Sequence, residues 1–356
     1  IEELLKKFEV VKQIFFTKDV AQYTLYWKIR KGLFPAVGAV RKTGTTVIIE
    51  DVAYPIEHLA EATLELQELF KKHGYKEAII FGHALEGNFH FVFTQDFSHK
   101  KEVKRYDDFM NDVVHSVAVK YQGSLKAEHG TGRNMAAFVE LEWGSDAYMM
   151  MKKIKNLFDP RGLLNPGVII NDDKEAHLKN LKTLPATNPI VDKCIECGFC
   201  EPTCPSNELT LSPRQRIVIN REISRLENIG LYKEAKEYKK LYQYDGIETC
   251  ATCSLCSSAC PVNIDTGSLT KHLRAEQASE SSKSIANFVA NNFSSTLKGI
   301  RVGLHSANFI HKVLGTASME TFTQTFRDLS KNTLPKWTET MPKGTNIDMY
   351  FEQKVS

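Results

Sequence analysis

All eight cysteines of this 356-residue chain lie between Cys194 and Cys260. They fall as Cys194-x2-Cys197-x2-Cys200-x3-Cys204-Pro205 and, 45 residues further on, as Cys250-x2-Cys253-x2-Cys256-x3-Cys260-Pro261. Runs of this spacing hold [4Fe–4S] clusters through their thiolates. Two-residue gaps let three thiolates of one tight loop converge on three corners of a cube. The fourth, followed by proline, points away and serves the other cluster. The spacing therefore predicts cluster I on Cys194, Cys197, Cys200 and Cys260, and cluster II on Cys250, Cys253, Cys256 and Cys204. A zinc ribbon wants two pairs per metal and has no use for a third and fourth cysteine at these offsets. Disulfides suit a short secreted chain, whereas this one is long and keeps every cysteine inside the two runs.

A second constellation lies in the first half. Gly82-His83-x4-Gly87-Asn88-x-His90 sets two imidazoles on either side of a glycine turn, with Asn88 and His90 on one face of their strand. Ala127-Glu128-His129-Gly130-Thr131-Gly132 adds a carboxylate and a third imidazole. Two histidines plus one carboxylate, with open positions left over, is a common catalytic-metal set. On composition alone, a packed and hydrogen-bonded histidine is the commoner finding on a strand.

The elements that must position these residues read as α+β. A strand is expected over 8–16 and a helix over 19–31, carrying Trp27 and Arg30. The β-branched run 45–53 is followed by Pro55 and a helix whose apolar positions Leu59, Ala62, Leu66, Leu69 and Phe70 recur at helical spacing, closed by Gly74. Strands over 77–83 and 88–93, a helix over 99–121 and a short strand over 123–127 complete a βαββαβ order. That order predicts a ferredoxin-like antiparallel sheet with both helices on one face. A helix over 146–158 leads to Asp159-Pro160 and Asn165-Pro166-Gly167. Between the cysteine runs, Ser212-Pro213 opens one helix, Gly230 ends it, and 233–243 forms a second. The unit is thus an α-helical ferredoxin, in which helices shield two clusters. The expected division is a sheet domain over 1–170, a linker over 171–189, a cluster domain over 190–275, and amphipathic helices with an extended tail over 276–356.

Composition narrows the function. Forty-six basic residues against 43 acidic ones leave a net charge of +3, too little to steer nucleic acid or a membrane. No apolar run nears the ~20 residues of a bilayer span, and no signal peptide opens the chain. Oxygen-labile clusters suggest the cytoplasm, with at most peripheral attachment at the inner face of a membrane. Starting at Ile1 in mid-helix, the chain reads as a piece of a longer protein. No Gly-rich dinucleotide loop is present, so NAD is not indicated. Residues 281–319 lack Asp and Glu but carry Lys283, Lys298, Arg301 and Lys312 beside an apolar stripe. Such a stripe suits a membrane surface or an acceptor protein, and more commonly packs on other protein.

In order along the chain, Gly-His-x4-Gly-Asn-x-His, Glu-His-Gly-x-Gly and Asp159-Pro160-x4-Asn165-Pro166-Gly167 resemble the substrate domain of FAD-linked D-2-hydroxyacid dehydrogenases of the vanillyl-alcohol-oxidase type. These include D-lactate, glycolate and D-2-hydroxyglutarate dehydrogenases. Together with the clusters, the resemblance covers about residues 10–275 and suggests the middle of a flavin dehydrogenase fused to an iron–sulfur acceptor. It implies that His83, His90 and Glu128 hold a divalent, zinc-like metal and that His129 is the general base. It also implies that Arg30 pairs with the substrate carboxylate, while Asn165 and Asn88 face the flavin. Leu85-Glu86 replaces a Gly-Asp pair frequent in relatives, and Arg133 stands where Lys is frequent; both bear on the substrate more than on the reaction. The implied activity is oxidation of a D-2-hydroxy acid, D-lactate first. Its cofactors are two [4Fe–4S] clusters, a divalent metal, and FAD bound mainly by a domain missing from this chain. Electrons would leave to a quinone, a cytochrome or a cysteine-rich redox domain. The rival is a non-catalytic electron-transfer subunit that uses the sheet domain as a docking scaffold. Arg41 and Lys42 are lesser candidates for a second acid group of the substrate.

Overall fold

The structure, a computed structural model, describes residues 2–9, 11, 15–332, 334–338 and 340–342. They fall into two compact units, 1–274 and 275–356.

In the first unit, helix α1 (Val20–Ala39) starts on Asp19, whose Oδ1 accepts the Ala21 N–H at 2.8 Å. It runs eight residues past the expected end, through Pro35. The extension is tertiary in origin: its last turn packs so closely that a Cβ on Gly38 would lie 2.7 Å from Ile195 Cγ2. The strand expected over 8–16 lies partly on residues 10 and 12–14, outside those described, and the described ones around them are not strand.

Strand β1 (Thr46–Ala53), helix α2 (Leu59–Lys72), strands β2 (Ile79–His83) and β3 (Asn88–Gln95), and helix α3 (Lys100–Val114) follow. The sheet is antiparallel with order β1-β3-β2. Phe89, Phe91 and Phe93 alternate along β3 toward α2 and α3, and meet Ala62, Leu66, Phe70, Phe109 and Met110 in the main core. Each such phenylalanine contributes roughly 1.5–3 kcal/mol by burial. The opposite face of β3 presents Asn88 and His90.

The fourth strand, expected over 123–127, is reduced to a single bridge. Ala53 and Ser124 exchange two main-chain hydrogen bonds of 2.9 Å, which puts this segment beside β1, where the ferredoxin-like order requires it. The ladder stops there: the Lys126 N–H turns back to Ser124 Oγ, and those of Ala127, Glu128 and His129 go to the Asp51 carboxylate.

Helix α4 (Ser145–Phe158) ends in the Asp159 turn. Asp159 accepts the Leu163 and Leu164 N–H groups at 2.9 and 2.8 Å and the Lys155 ammonium at 2.6 Å. The cysteine region is built on α5 (Pro213–Asn228), α6 (Tyr232–Tyr242) and α7 (Thr266–Gln277). Ser212 and Gln215 form a reciprocal capping box at the start of α5. Val191, Ile217, Ile264 and Leu269 make a small core beneath the cysteine loops.

In the second unit, α8 (Glu280–Asn291) and α9 (Phe293–Leu329) are helical, α9 being broken at Gly315, where φ is 76° and ψ 168°. Trp337 is buried and donates its main-chain N–H to Thr323 Oγ1 at 2.9 Å. The tail expected to be extended lies mostly outside the described residues, at 333, 339 and 343–356. No helix among the described residues is long and apolar enough to cross a membrane.

Candidate metal centre and cluster cavities

Strand register builds the first half of the histidine site. His83 ends β2 opposite Asn88, and His90 pairs across with Phe81 on one side and Asp51 on the other. Both glycines of the motif are obligatory. A Cβ on Gly82 would lie 2.1 Å from Asn88 O, and Gly87, at φ +68°, presses against Tyr54 O. Glu128 arrives from the third segment. Its Oε1 lies 2.8 Å from His90 Nε2, 3.6 Å from His83 Nε2 and 3.3 Å from His129 Nε2.

One donor atom each from His83, His90 and Glu128 falls within 4.8 Å of the others. Two imidazole nitrogens and a carboxylate oxygen so close, with one side open, fit a divalent metal of the zinc type. His90 is 3% exposed, whereas the side chains of Glu128 and His129 are 43% and 63% exposed. Burial, outweighing the nearby carboxylates, lowers the His90 pKa, which keeps the ring neutral as a ligand must be. Its Nδ1 is buried without a hydrogen-bond partner, 3.8 Å from Asp51 Oδ1.

Asp51 is the residue that sequence reasoning missed. It is buried in mid-strand, and its Oδ2 accepts the N–H groups of Ala127, Glu128 and His129 at 3.2, 3.0 and 2.9 Å. Oδ1 accepts the Asn88 amide at 3.0 Å. Burial alone would raise its pKa; the His129 and Glu128 N–H groups and the Asn88 amide more than reverse this, and the net shift is downward. One carboxylate thus fastens the Glu128-His129 segment to the Asn88–His90 strand. The available signal was Glu50-Asp51, two acids inside a β-branched run, which a buried sheet position tolerates only if paired. Glu50 is likewise buried, and pairs with Lys126 and Asn134.

No hydrogen bond or ion pair joins Arg30 or Asn165 to this cluster among the described residues, whereas Asn88 is tied to it through Asp51. Arg30 is exposed on α1, its guanidinium 5.5 Å from the Trp27 ring centre, and it has no ion pair among the described residues. Asn88 spends its Nδ2 on Asp51, while its Oδ1 is buried without a partner. Asn165 is exposed at φ +45° in the turn that Asp159 closes. Arg41 needs correcting: its hydrogen bonds all go to main-chain carbonyls, so its fork is not free for a substrate acid group.

The eight thiols line two separate cavities. One is walled by Cys194, Cys197, Cys200 and Cys260, the other by Cys204, Cys250, Cys253 and Cys256. The loops share a backbone: Glu196 and Thr252, then Gly198 and Ser254, occupy the left-handed region at matching positions. This curls the chain around the thiols, and the Glu196 N–H donates to Cys194 Sγ at 3.3 Å. Burial pushes the Cys200 thiol up to about 12 and raises Cys194 and Cys256. Buried thiolates therefore need a metal to stabilise them. Four thiols to a cavity fit one cubane in each.

Residues 1–169 match the family of FAD linked oxidases, C-terminal domain, and residues 190–264 match the 4Fe-4S dicluster domain. Glycolate oxidase subunit GlcD of Bacillus subtilis is 30% identical over 39% of this chain and 29% of its own length. The mitochondrial D-lactate dehydrogenase [cytochrome] of Arabidopsis thaliana is 35% identical over 40% of this chain and 25% of its own length. D-2-hydroxyglutarate dehydrogenase of Escherichia coli is 27% identical over 70% of this chain and 29% of its own length. The chain thus spans less than a third of each of these curated relatives.

Proposed function

We infer from the matches of residues 1–169 to the C-terminal domains of FAD-linked oxidases, and of 190–264 to the 4Fe-4S dicluster domains, that the chain joins a flavin-oxidase substrate domain to an iron–sulfur domain. From that premise we propose that it is the substrate and electron-outlet portion of a flavin-dependent dehydrogenase of D-2-hydroxy acids, D-lactate foremost. The observation that carries this reading is the convergence of His83, His90 and Glu128 within 4.8 Å, with His129 beside them. A docking scaffold has no use for a buried neutral imidazole held against a buried carboxylate.

When bound, the groups supply what side chains do not: Lewis acidity at the substrate hydroxyl, a two-electron acceptor, and one-electron outlets. His83, His90 and Glu128 would hold the metal. His129, exposed beside Glu128, takes the hydroxyl proton, as an imidazole does well near neutral pH. Arg30, steadied over Trp27, offers its planar fork to the substrate carboxylate. Asn165 and Asn88 would line the flavin side of the site, the flavin itself being held mainly by a separate binding domain. Cys194, Cys197, Cys200 and Cys260 hold cluster I, and Cys204, Cys250, Cys253 and Cys256 hold cluster II. Pro35 of α1 lines the cluster I cavity, whereas the cluster II cavity is walled by residues of the cysteine region alone. This supports cluster I as the site nearer the flavin side, and cluster II as the one nearer a quinone, cytochrome or other redox partner.

Glu128→Ala tests the site. It should cost the chain its one divalent, non-iron metal and leave iron unchanged. Retention of that metal would refute the ligand set.

A further inference from the structure

Arg41 is 7% exposed and sits where the sheet domain meets the first cysteine loop. Its Nε donates to Thr45 O at 2.9 Å and its Nη1 to Gly38 O at 3.2 Å, both on its own side. Across the junction, Nη1 donates to Lys193 O at 3.1 Å, and Nη2 to Asp192 O at 2.8 Å and Cys194 O at 3.1 Å. The buried Arg221 reaches the same stretch from α5, with Nη2 2.8 Å from Cys194 O and 3.2 Å from Asp192 O. The two guanidinium groups differ in how their charge is met. Arg221 Nη1 pairs with Glu196 at 2.8 Å. Arg41 has no carboxylate within ion-pair distance among the described residues; main-chain carbonyls make all its hydrogen bonds, and the Cys194 thiol, Asp192 and Glu196 act on its charge only from farther off, against repulsion from Arg221.

A buried cation without a counter-ion is costly, and proteins retain one where an anion completes it. The anion at hand is the four-thiolate cavity that begins at Cys194. Four thiolates make a [4Fe–4S] cluster net negative, and reduction adds one more negative charge. A fixed positive charge beside it therefore favours the reduced form.

We propose that Arg41 is the positioning residue of cluster I: it fastens the main chain of 192–194 to the sheet domain and supplies a buried positive charge that raises the potential of this cluster. The proposal rests on the reading of the cysteines as cluster ligands. Cluster II has its own guanidinium, since Arg216 Nη1 lies 3.9 Å from Cys204 Sγ. Arg41 should thus act on one cluster only.

The test is a potentiometric titration of the anaerobically loaded chain, following the two one-electron cluster signals by electron paramagnetic resonance. In fully loaded Arg41→Gln, one signal should shift about tenfold toward the oxidised form, ~59 mV lower, with the other unmoved. Arg41→Lys, which keeps the charge, should hold that signal within about threefold of the parent. Two unmoved signals in loaded Arg41→Gln, or two that move alike, overturn the proposal. If Arg41→Gln takes up too little iron, Arg41→Lys decides. Full loading at parental potential supports the role, and failure to load overturns it. A parent chain without two cubanes would overturn the cysteine reading itself, a result distinct from any variant's.

Discussion

His83, His90 and Glu128 come from three segments that sheet register and a buried carboxylate bring together, whereas Cys194, Cys197 and Cys200 come from one loop of seven residues. The first site stands on strands, its backing is Asp51, and one side is open to solvent. The second stands on left-handed loop residues and is backed by arginines on main-chain carbonyls. The difference suits the charge each site would carry on the proposed reading. A divalent cation is steadied by a carboxylate behind its ligands. An anionic cluster is steadied by guanidinium groups and inward N–H groups.

The strongest way to break this contrast is to ask whether the cysteine sites are as local as their loops. If Cys260 completes the cavity of Cys194, then Cys194→Ser and Cys260→Ser each cost one cubane, and the double variant costs no more. Iron would fall from about eight to about four in all three. A double variant with no cubane left would assign the two residues to different clusters and refute the exchanged fourth ligand. A smaller effect is expected at the support of the metal centre. Asp51→Asn should weaken divalent-metal affinity by roughly 10- to 100-fold and leave iron in place. The same variant has a pH signature in the metal-free chain. The folded pKa of Asp51 lies below its ordinary value, so its contribution to stability is present above about pH 4 and lost as pH falls through the folded value. The gap in Tm between parent and variant should therefore close in acid. A gap independent of pH would show that the Asp51 charge is not what matters.

What was legible in the sequence follows from the same contrast. Cysteine spacing is local, so one line of sequence suffices to propose ligands for both clusters, and the structure lines two cavities with those same two sets of four. The histidine site spans 45 residues between His83 and Glu128, and no periodicity joins them; residue types suggested a metal set, and resemblance to a family favoured it over packed histidines. The order of elements was readable because the Phe89, Phe91 and Phe93 alternation and the α2 stripe mark their faces. The shortfall of the fourth strand was not readable. It depends on Asp51 capturing three N–H groups 76 to 78 residues away, a contact without a local trace. Arg41 and Lys42 looked alike in sequence, and burial against 192–194 alone sets Arg41 apart.

The central claim is that one chain carries a catalytic-metal site beside a two-cluster outlet, completed by a flavin domain from elsewhere. The most direct measurement is the iron, sulfide, divalent-metal and flavin content of the chain purified without oxygen. The account predicts about eight iron with matching sulfide, one zinc-like metal, and little FAD. Zinc in place of iron, with no acid-labile sulfide, would contradict it and make the cysteine loops structural.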